Sequence, residues 1–340
     1  MPKSLMVAVA LIVSIAFCNA ERAVAATTLT LSSWLPPTHP FVVNALKPWV
    51  KQVHEATKGE VRIRVLSKAL GSPLVHFDLA KDGVADITYG LHSYTKGDRF
   101  VVSGVAQFPF LGDKAEALSV AYWNAHVKHL APVNEHEGTH ILSLFTHGPG
   151  FLHNSVRPVT AKTDLQGLKI RVPGGVVTDV IKGLDANPML IASPEIYEAL
   201  SRGIADGITF TAETVVSFDL TKILKYTTTF PGGLYNTTWF MVMNQGKWDD
   251  LSQENQEAIM KVSGEAFARF QGQAWDAADA DAWGEIEAGG IEVMEADEAF
   301  IAEVKEVADR LEAAWIVKAR ERGVDGAAVL SEIRAEASTQ

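Results

Sequence analysis

The chain has 340 residues and a single cysteine, Cys18, beside an apolar N-terminal run. That run, Leu5 to Phe17, follows Lys3 and precedes Ala23-Val24-Ala25, the layout of a secretory signal with a small-residue cleavage site. Cleavage is expected near Ala25/Ala26. Bulky Phe17 before Cys18 argues against a lipoprotein signal. The mature chain then has no thiol, which excludes disulfide staples and thiol chemistry. No apolar run reaches the length of a membrane-crossing helix. Positive charge is also scarce: 30 Lys and Arg stand against 41 Asp and Glu, a formal net charge of -11. Loss of residues 1–26 removes Lys3, Arg22 and Glu21 and leaves -12. Such acidity disfavours nucleic acid or an anionic membrane surface as partner, but not a small anion facing a local cation. Missing as well are G-x-S-x-G, a post-strand G-x-G-x-x-G and a Walker loop. The reading is of an exported, soluble, periplasmic protein, not an enzyme, with no cofactor.

What is present is an alternation of strand and helix patterns, which signals an α/β fold, and a length that favours two domains. Strand patterns occupy Leu29–Trp34, Glu60–Leu66, Ala85–Leu91 and His140–Phe145. Helical patterns occupy Phe41–Thr57, Leu74–Lys81 and Lys114–Glu135, the last weakened at Pro132. A second set follows: strands Leu168–Val172, Pro188–Ala192 and Gly207–Phe210, with helices Val176–Leu184 and Pro194–Arg202. Ser193 is placed to cap the last of these, with Pro194 at the first helical position.

Two segments echo each other. Leu79-Ala-Lys-Asp-Gly-Val-Ala-Asp-Ile-Thr-Tyr89 resembles Ala199-Leu-Ser-Arg-Gly-Ile-Ala-Asp-Gly-Ile-Thr-Phe210. Each ends a helix at glycine and then sets an aspartate, Asp86 or Asp206, before an apolar strand. Two similarly built α/β domains are expected. From Gln253 to about Glu287 there is no proline, and apolar residues recur at three- and four-residue steps. One helix of that length spans roughly 50 Å, enough to cross both domains. Gly264 and Gly272 are candidate bends. The tail, strand Ile291–Ala296 and helix Ala299–Arg322, is expected to fold back on one domain. The expected division is 27–149 plus 237–270 for the first domain and 150–236 plus 285–340 for the second, with 253–287 between them.

Candidate chemistry is sparse. His136-Glu137-Gly138-Thr139-His140 matches H-E-x-x-H, which in a zinc hydrolase sets two histidines on one helical face beside a glutamate. Here Gly138 ends a helix and His140 begins a strand, so a periplasmic zinc metallohydrolase on His136, Glu137 and His140 is only the alternative. The aromatics Trp34, Tyr89, Phe210 and Trp239 fall at strand ends, where α/β proteins bind ligands. Arg171 ends the strand in Thr163-Asp-Leu-Gln-Gly-Leu-Lys-Ile-Arg-Val-Pro-Gly174. Its planar fork of donors suits a carboxylate.

That stretch, Glu195-x-Tyr-Glu-Ala-Leu-x-x-Gly-Ile-Ala-Asp-Gly207 and Asn244-Gln-Gly-Lys-Trp-Asp-Asp-Leu-Ser-Gln-Glu-Asn-Gln-Glu-Ala-Ile259 together resemble the solute-binding proteins of tripartite ATP-independent periplasmic (TRAP) transporters. The resemblance covers nearly all of the mature chain. It implies a two-domain, type II-like periplasmic binding protein, closing on one organic acid and delivering it to a small and a large membrane subunit under an ion gradient. It makes Arg171 the carboxylate anchor. Where sialic-acid-binding members carry polar residues, this chain has Phe151, Phe210, Trp34 and Leu91. The expected ligand is therefore a monocarboxylate with an apolar or aromatic body, walled by Trp34, Tyr89, Phe151, Phe210 and Trp239. His92, Tyr94, His147, Glu213 and Tyr235 are candidates for a hydroxyl or oxo group, and the protein is expected to be a monomer.

Overall fold

The structure, a computed structural model, describes residues 26–338 except Lys96. The export segment and its cleavage point lie outside the described residues.

Eleven strands form two sheets among the described residues. They are β1 Thr27–Ser32, β2 Val61–Val65, β3 Ile87–Leu91, β4 Thr139–Thr146, β5 Phe151–Asn154, β6 Lys169–Val172, β7 Asn187–Leu190, β8 Gly207–Phe210, β9 Tyr226–Thr229, β10 Thr238–Asn244 and β11 Glu292–Glu295. The first sheet has the order β2-β1-β3-β10-β4, and the second β11-β9-β5-β8-β6-β7. In the first, β1 runs parallel to β2 and β3, while β10 is antiparallel to β3 and β4. In the second, β6 runs parallel to β7 and β8, and β5 is antiparallel to β8 and β9.

Both faces of the first sheet are covered, as its alternating side chains require. Phe240, Val242 and Leu144 enter one core, while Trp239, Met241, Met243 and Phe145 enter the other. The second sheet is likewise packed on two sides, through Ile170 and Val172 on one and Ile208 and Phe210 on the other.

The repeated segments do the same work in each lobe. Gly83 and Gly203 adopt φ +71° and +68°, the left-handed turn that favours glycine. Asp86 Oδ2 then accepts from the Thr30 backbone N–H at 2.7 Å, and Asp206 Oδ2 from that of Lys169 at 2.8 Å. Each aspartate thus ties its own strand to a parallel neighbour.

Chain crossings between the lobes are bunched. The segment after β4 and the segment before β10 pair at Gly150 and Tyr235, with Gly150 N–H donating to Tyr235 O at 2.9 Å and Leu234 N–H to Gly150 O at 2.9 Å. The third crossing is helical. The expected single helix is two: Gln253–Lys261 and Gly264–Ala288, broken where Val262 and Ser263 leave helical geometry and Gly264 takes φ +55°. The second piece, about 37 Å long at the usual rise per residue, places Phe267, Ala268 and Trp275 in a first-lobe core and Ala282 and Ile286 in a second-lobe core.

Two other elements differ from the sequence expectation. The helix expected over 114–135 stays α-helical only through Ala115–Ala125, then widens at His126–Leu130 and tightens at Ala131–Val133, around Pro132. The tail continues past Glu298–Glu321 into a further helix, Gly326–Ala337, whose Val329, Leu330 and Ile333 join the core formed with Leu118 and Tyr122 of the first lobe.

Candidate functional site

Arg171 sits on β6, and its side chain is fully buried. A guanidinium stays charged inside a protein and presents five N–H donors. Here Nε donates to Ile191 O at 2.8 Å and Nη1 to Thr209 O at 3.3 Å. Nη2 donates to Tyr94 Oη at 3.0 Å and Ser193 Oγ at 3.3 Å. These partners are all uncharged. Ser193 does not cap a helix as the sequence suggests; its hydroxyl turns to Tyr94 and Arg171. Tyr94 reaches Arg171 from the other lobe. The Phe210 ring lies under the guanidinium, with its centroid 4.6 Å from Cζ. Burying a cation without an anion is costly, and a carboxylate that completes the pair offsets that cost.

The guanidinium opens on a cavity between the lobes. The volume open to the centre of a water molecule is about 20 Å³, room for about one water. One wall is aromatic and comes from the first lobe. Trp34 and Trp239 stack at 5.6 Å with an interplanar angle of 8°, and Trp275 meets Trp239 at 5.4 Å. The opposite wall carries Phe210 and Phe218, stacked at 6.0 Å. His147 and Tyr235 line the side formed by the two paired crossings.

Of the eleven side chains singled out from the sequence, Arg171, Trp34, His147, Phe210, Tyr235 and Trp239 line this cavity. Tyr94 touches Arg171 directly, and Tyr89 stands behind Trp34, its backbone carbonyl accepting from the Trp34 indole N–H at 3.1 Å.

Three are placed elsewhere. Phe151 opposes Phe210 across the β5–β8 ladder but packs on Trp283, at 5.4 Å. His92 lies behind β10, its Nε2 2.8 Å from His136 Nε2, among Phe100, His126 and Phe240. Glu213 turns its carboxylate to the Thr214 and Ser217 hydroxyls, at 2.7 and 2.9 Å, and toward His39 Nε2 at 3.6 Å. In each case strand alternation or helix phase is right for burial, but the partner on that face was not visible in one dimension.

The sequence reading missed Trp275, Ser193, Thr214 and Phe218. Trp275 carried a faint signal as the large aromatic in the alanine-rich part of the long helix.

The H-E-x-x-H segment does not form a metal centre. His136 belongs to the buried histidine group, whereas His140 on β4 stacks flat on Trp248 at 3.6 Å, and Glu137 is exposed. Among the described residues there is no group of three or more acidic, histidine or cysteine side chains arranged to hold a metal.

Burial sets the charge state of the cavity wall. It lowers the pKa of His147 to about 4, with Arg171 adding in the same direction, so the imidazole is neutral near pH 7. Burial also lowers that of His39, against the pull of Glu213. Outside the cavity lining, on the bridging helix, burial raises the pKa of Asp279 well above the ordinary carboxylate range, with Glu213 adding repulsion. Arg171 is thus a cation in an apolar cleft with neutral imidazole nearby.

Comparison with known proteins gives the family. The family model of bacterial extracellular solute-binding proteins, family 7 (DctP), matches residues 31–317. A TRAP periplasmic solute-binding protein of Bordetella bronchiseptica, crystallised with bound (R)- and (S)-mandelate, is 43% identical, with a TM-score of 0.90 over 92% of this chain and 99% of that one. A TRAP solute-binding protein of Rhodoferax ferrireducens, in complex with copurified benzoate, is 29% identical, with a TM-score of 0.85 over 92% and 98% of the two chains. Among curated proteins, outer membrane transporter protein TsaT of Comamonas testosteroni is 31% identical over 92% of each chain. A two-lobed α/β receptor with a bridging helix and a buried arginine at the interlobe cleft is therefore what the matched sequence encodes: the chain belongs to family 7 of the bacterial extracellular solute-binding proteins, the solute-binding components of TRAP transporters.

Proposed function

We propose that this protein captures a monocarboxylate with an aromatic body, and that Arg171 is its carboxylate anchor. The observation that carries the reading is a fully buried arginine whose hydrogen-bond partners are all uncharged, set at the edge of an aromatic cavity. A carboxylate supplies the missing charge, and Trp34, Trp239, Trp275, Phe210 and Phe218 flank a flat apolar body. Solved relatives crystallised with mandelate, benzoate and 3-hydroxybenzoate support it.

Closure is the second part of the proposal. Arg171 and Tyr94 come from different lobes, so their contact belongs to a closed arrangement that the ligand stabilises. The lobes divide as 27–149 plus 237–270 and 150–236 plus 285–340, with the terminal helix lying back across the first lobe. The protein works in the periplasm as a monomer after cleavage near Ala25/Ala26, and hands its ligand to a small and a large membrane subunit.

The test is a calorimetric titration with benzoate, mandelate and a sugar acid such as galacturonate. Binding of the aromatic acids, lost in Arg171→Ala, supports the reading. Preference for the sugar acid refutes the aromatic ligand, and undiminished binding by Arg171→Ala refutes the anchor.

A further inference from the structure

The polar groups in the cavity wall can be sorted by whether the protein already engages them. The Trp34 indole N–H donates to Tyr89 O at 3.1 Å, and that of Trp239 to Thr237 Oγ1 at 2.9 Å. Thr214 Oγ1 is bonded to Thr211 and Glu213. Ser193 Oγ is held by Tyr94 and Arg171. The Tyr235 hydroxyl is engaged by the Thr209 side chain, which acts to lower its pKa. His39 Nδ1 accepts from Phe41 N–H at 3.2 Å, and its Nε2 faces Glu213. The third tryptophan differs. Trp275 is 4% exposed, and its Nε1 is buried with no hydrogen-bond partner. A buried donor left unpaired is destabilising, and native proteins rarely keep one without a use.

Beside it stands His147, with ring centroids 5.9 Å apart. Its Nδ1 lies against Gly148 O, an acceptor, which places the proton on Nδ1 and leaves Nε2 as a lone-pair acceptor. An indole donor next to an imidazole acceptor suits a group that both accepts and donates. A hydroxyl does both; a bare ring or a methylene does neither. The same imidazole packs edge-on to Tyr235, at 5.6 Å, and both rings line the cavity together with Arg171 and Trp275.

Resting on the aromatic-acid reading above, we propose that Trp275 and His147 together recognise a hydroxyl on the carbon next to the ligand's carboxylate, so that the site is selective for aromatic 2-hydroxy acids. The hydroxyl oxygen accepts from Trp275 Nε1–H and its proton goes to His147 Nε2. No covalent step is involved. A site built to hydrogen-bond a hydroxyl rejects the analogue that lacks it, because its own groups are then buried unpaired.

Calorimetric titration of the purified protein with mandelate, phenylacetate and phenylglyoxylate tests this directly. Phenylacetate keeps the ring and carboxylate and lacks the hydroxyl; phenylglyoxylate has an acceptor and no donor. Mandelate is expected to bind at least tenfold more tightly than phenylacetate, with phenylglyoxylate between them. In Trp275→Phe, which keeps an aromatic wall, the mandelate-to-phenylacetate ratio is expected to fall to within about twofold, and the ligand-free melting point reports whether that variant is folded. Equal binding of mandelate and phenylacetate by the wild type overturns the proposal without any variant, and means that the pair holds only a water. A ratio unchanged in folded Trp275→Phe overturns the role of Trp275. If 3-hydroxybenzoate gains over benzoate while mandelate gains nothing over phenylacetate, the hydroxyl is read on the ring and the 2-position is wrong. If none of these acids binds, the aromatic-acid reading itself fails, a result distinct from the others.

Discussion

At the residue scale, Arg171 defines the site by its surroundings. Two backbone carbonyls and two hydroxyls orient the guanidinium without neutralising it. A bound carboxylate interacts with that charge in a medium far less polar than water, which strengthens the pair relative to a surface one. Arg171→Ala is expected to weaken binding by about 2–5 kcal/mol, read by calorimetry. Arg171→Lys is expected to recover little, because an ammonium cannot reproduce the planar fork. Tyr94→Phe probes the contact between lobes. It removes the hydroxyl that accepts from Arg171 Nη2 and from the Ser193 backbone N–H, each at 3.0 Å. A loss of about 1–3 kcal/mol in binding is expected, as for a buried donor left unsatisfied; unchanged affinity would show that this contact does not hold the closed form.

At the element scale, the helix Gly264–Ala288 joins the lobes mechanically. Its early turns lie so close to the helix Ala115–Ala125 that a Cβ on Gly272 would meet Glu116 Cα at 2.4 Å. Backbone cannot move aside as a side chain can. Gly272→Ala is therefore expected to lower stability by about 1–3 kcal/mol, the usual range for overpacking, seen as a lower denaturation midpoint. Asp276 Oδ1 also accepts from the Ala115 N–H at 2.7 Å, and Asp279 Oδ1 from the Glu213 N–H at 2.8 Å. One helix thus holds an element of each lobe through two carboxyl groups less than one turn apart. Its spacing of apolar residues was legible in the sequence, and so was a candidate bend at Gly264. Which face turns Trp275 into the cleft was not, because helical periodicity identifies a buried stripe without saying whether core or cavity lies opposite.

At the scale of the whole molecule, histidine burial makes stability depend on pH. His126, His147 and His153 have pKa values lowered to about 4 and His92 to about 3, and His136 is also lowered, chiefly by burial. In the unfolded chain they titrate near 6.5. Between about pH 6.5 and 4 the unfolded state therefore binds more protons, so stability falls as pH falls through that window. Each such histidine contributes about 1.4 kcal/mol per pH unit there. Asp279 acts oppositely, since its raised pKa favours the folded state at low pH. The melting point is expected to drop steeply from pH 6.5 to 4, and His153→Val to flatten the curve by about one proton. A melting point that is level or rises across that window would contradict these charge states.

The sequence by itself determined the α/β alternation, the paired Gly–Asp turns of the two lobes, and the arginine at a strand end. These are local in origin: period, left-handed turns and side-chain chemistry are written within a few residues of each other. It also carried the family motifs at 163–174, 195–207 and 244–259. Only the tertiary structure decided which aromatics share the cavity. Phe151 and Phe210 are cross-strand partners, yet the arginine stands over Phe210 while Phe151 packs on Trp283. His92 and His147 each follow a first-sheet strand, yet one joins a buried histidine group and the other lines the cleft. The physical reason is that burial is a property of a residue's own pattern, whereas the identity of its neighbour depends on chain crossings tens of residues away. The site is assembled from such neighbours, so its anchor could be read from one strand and its walls could not.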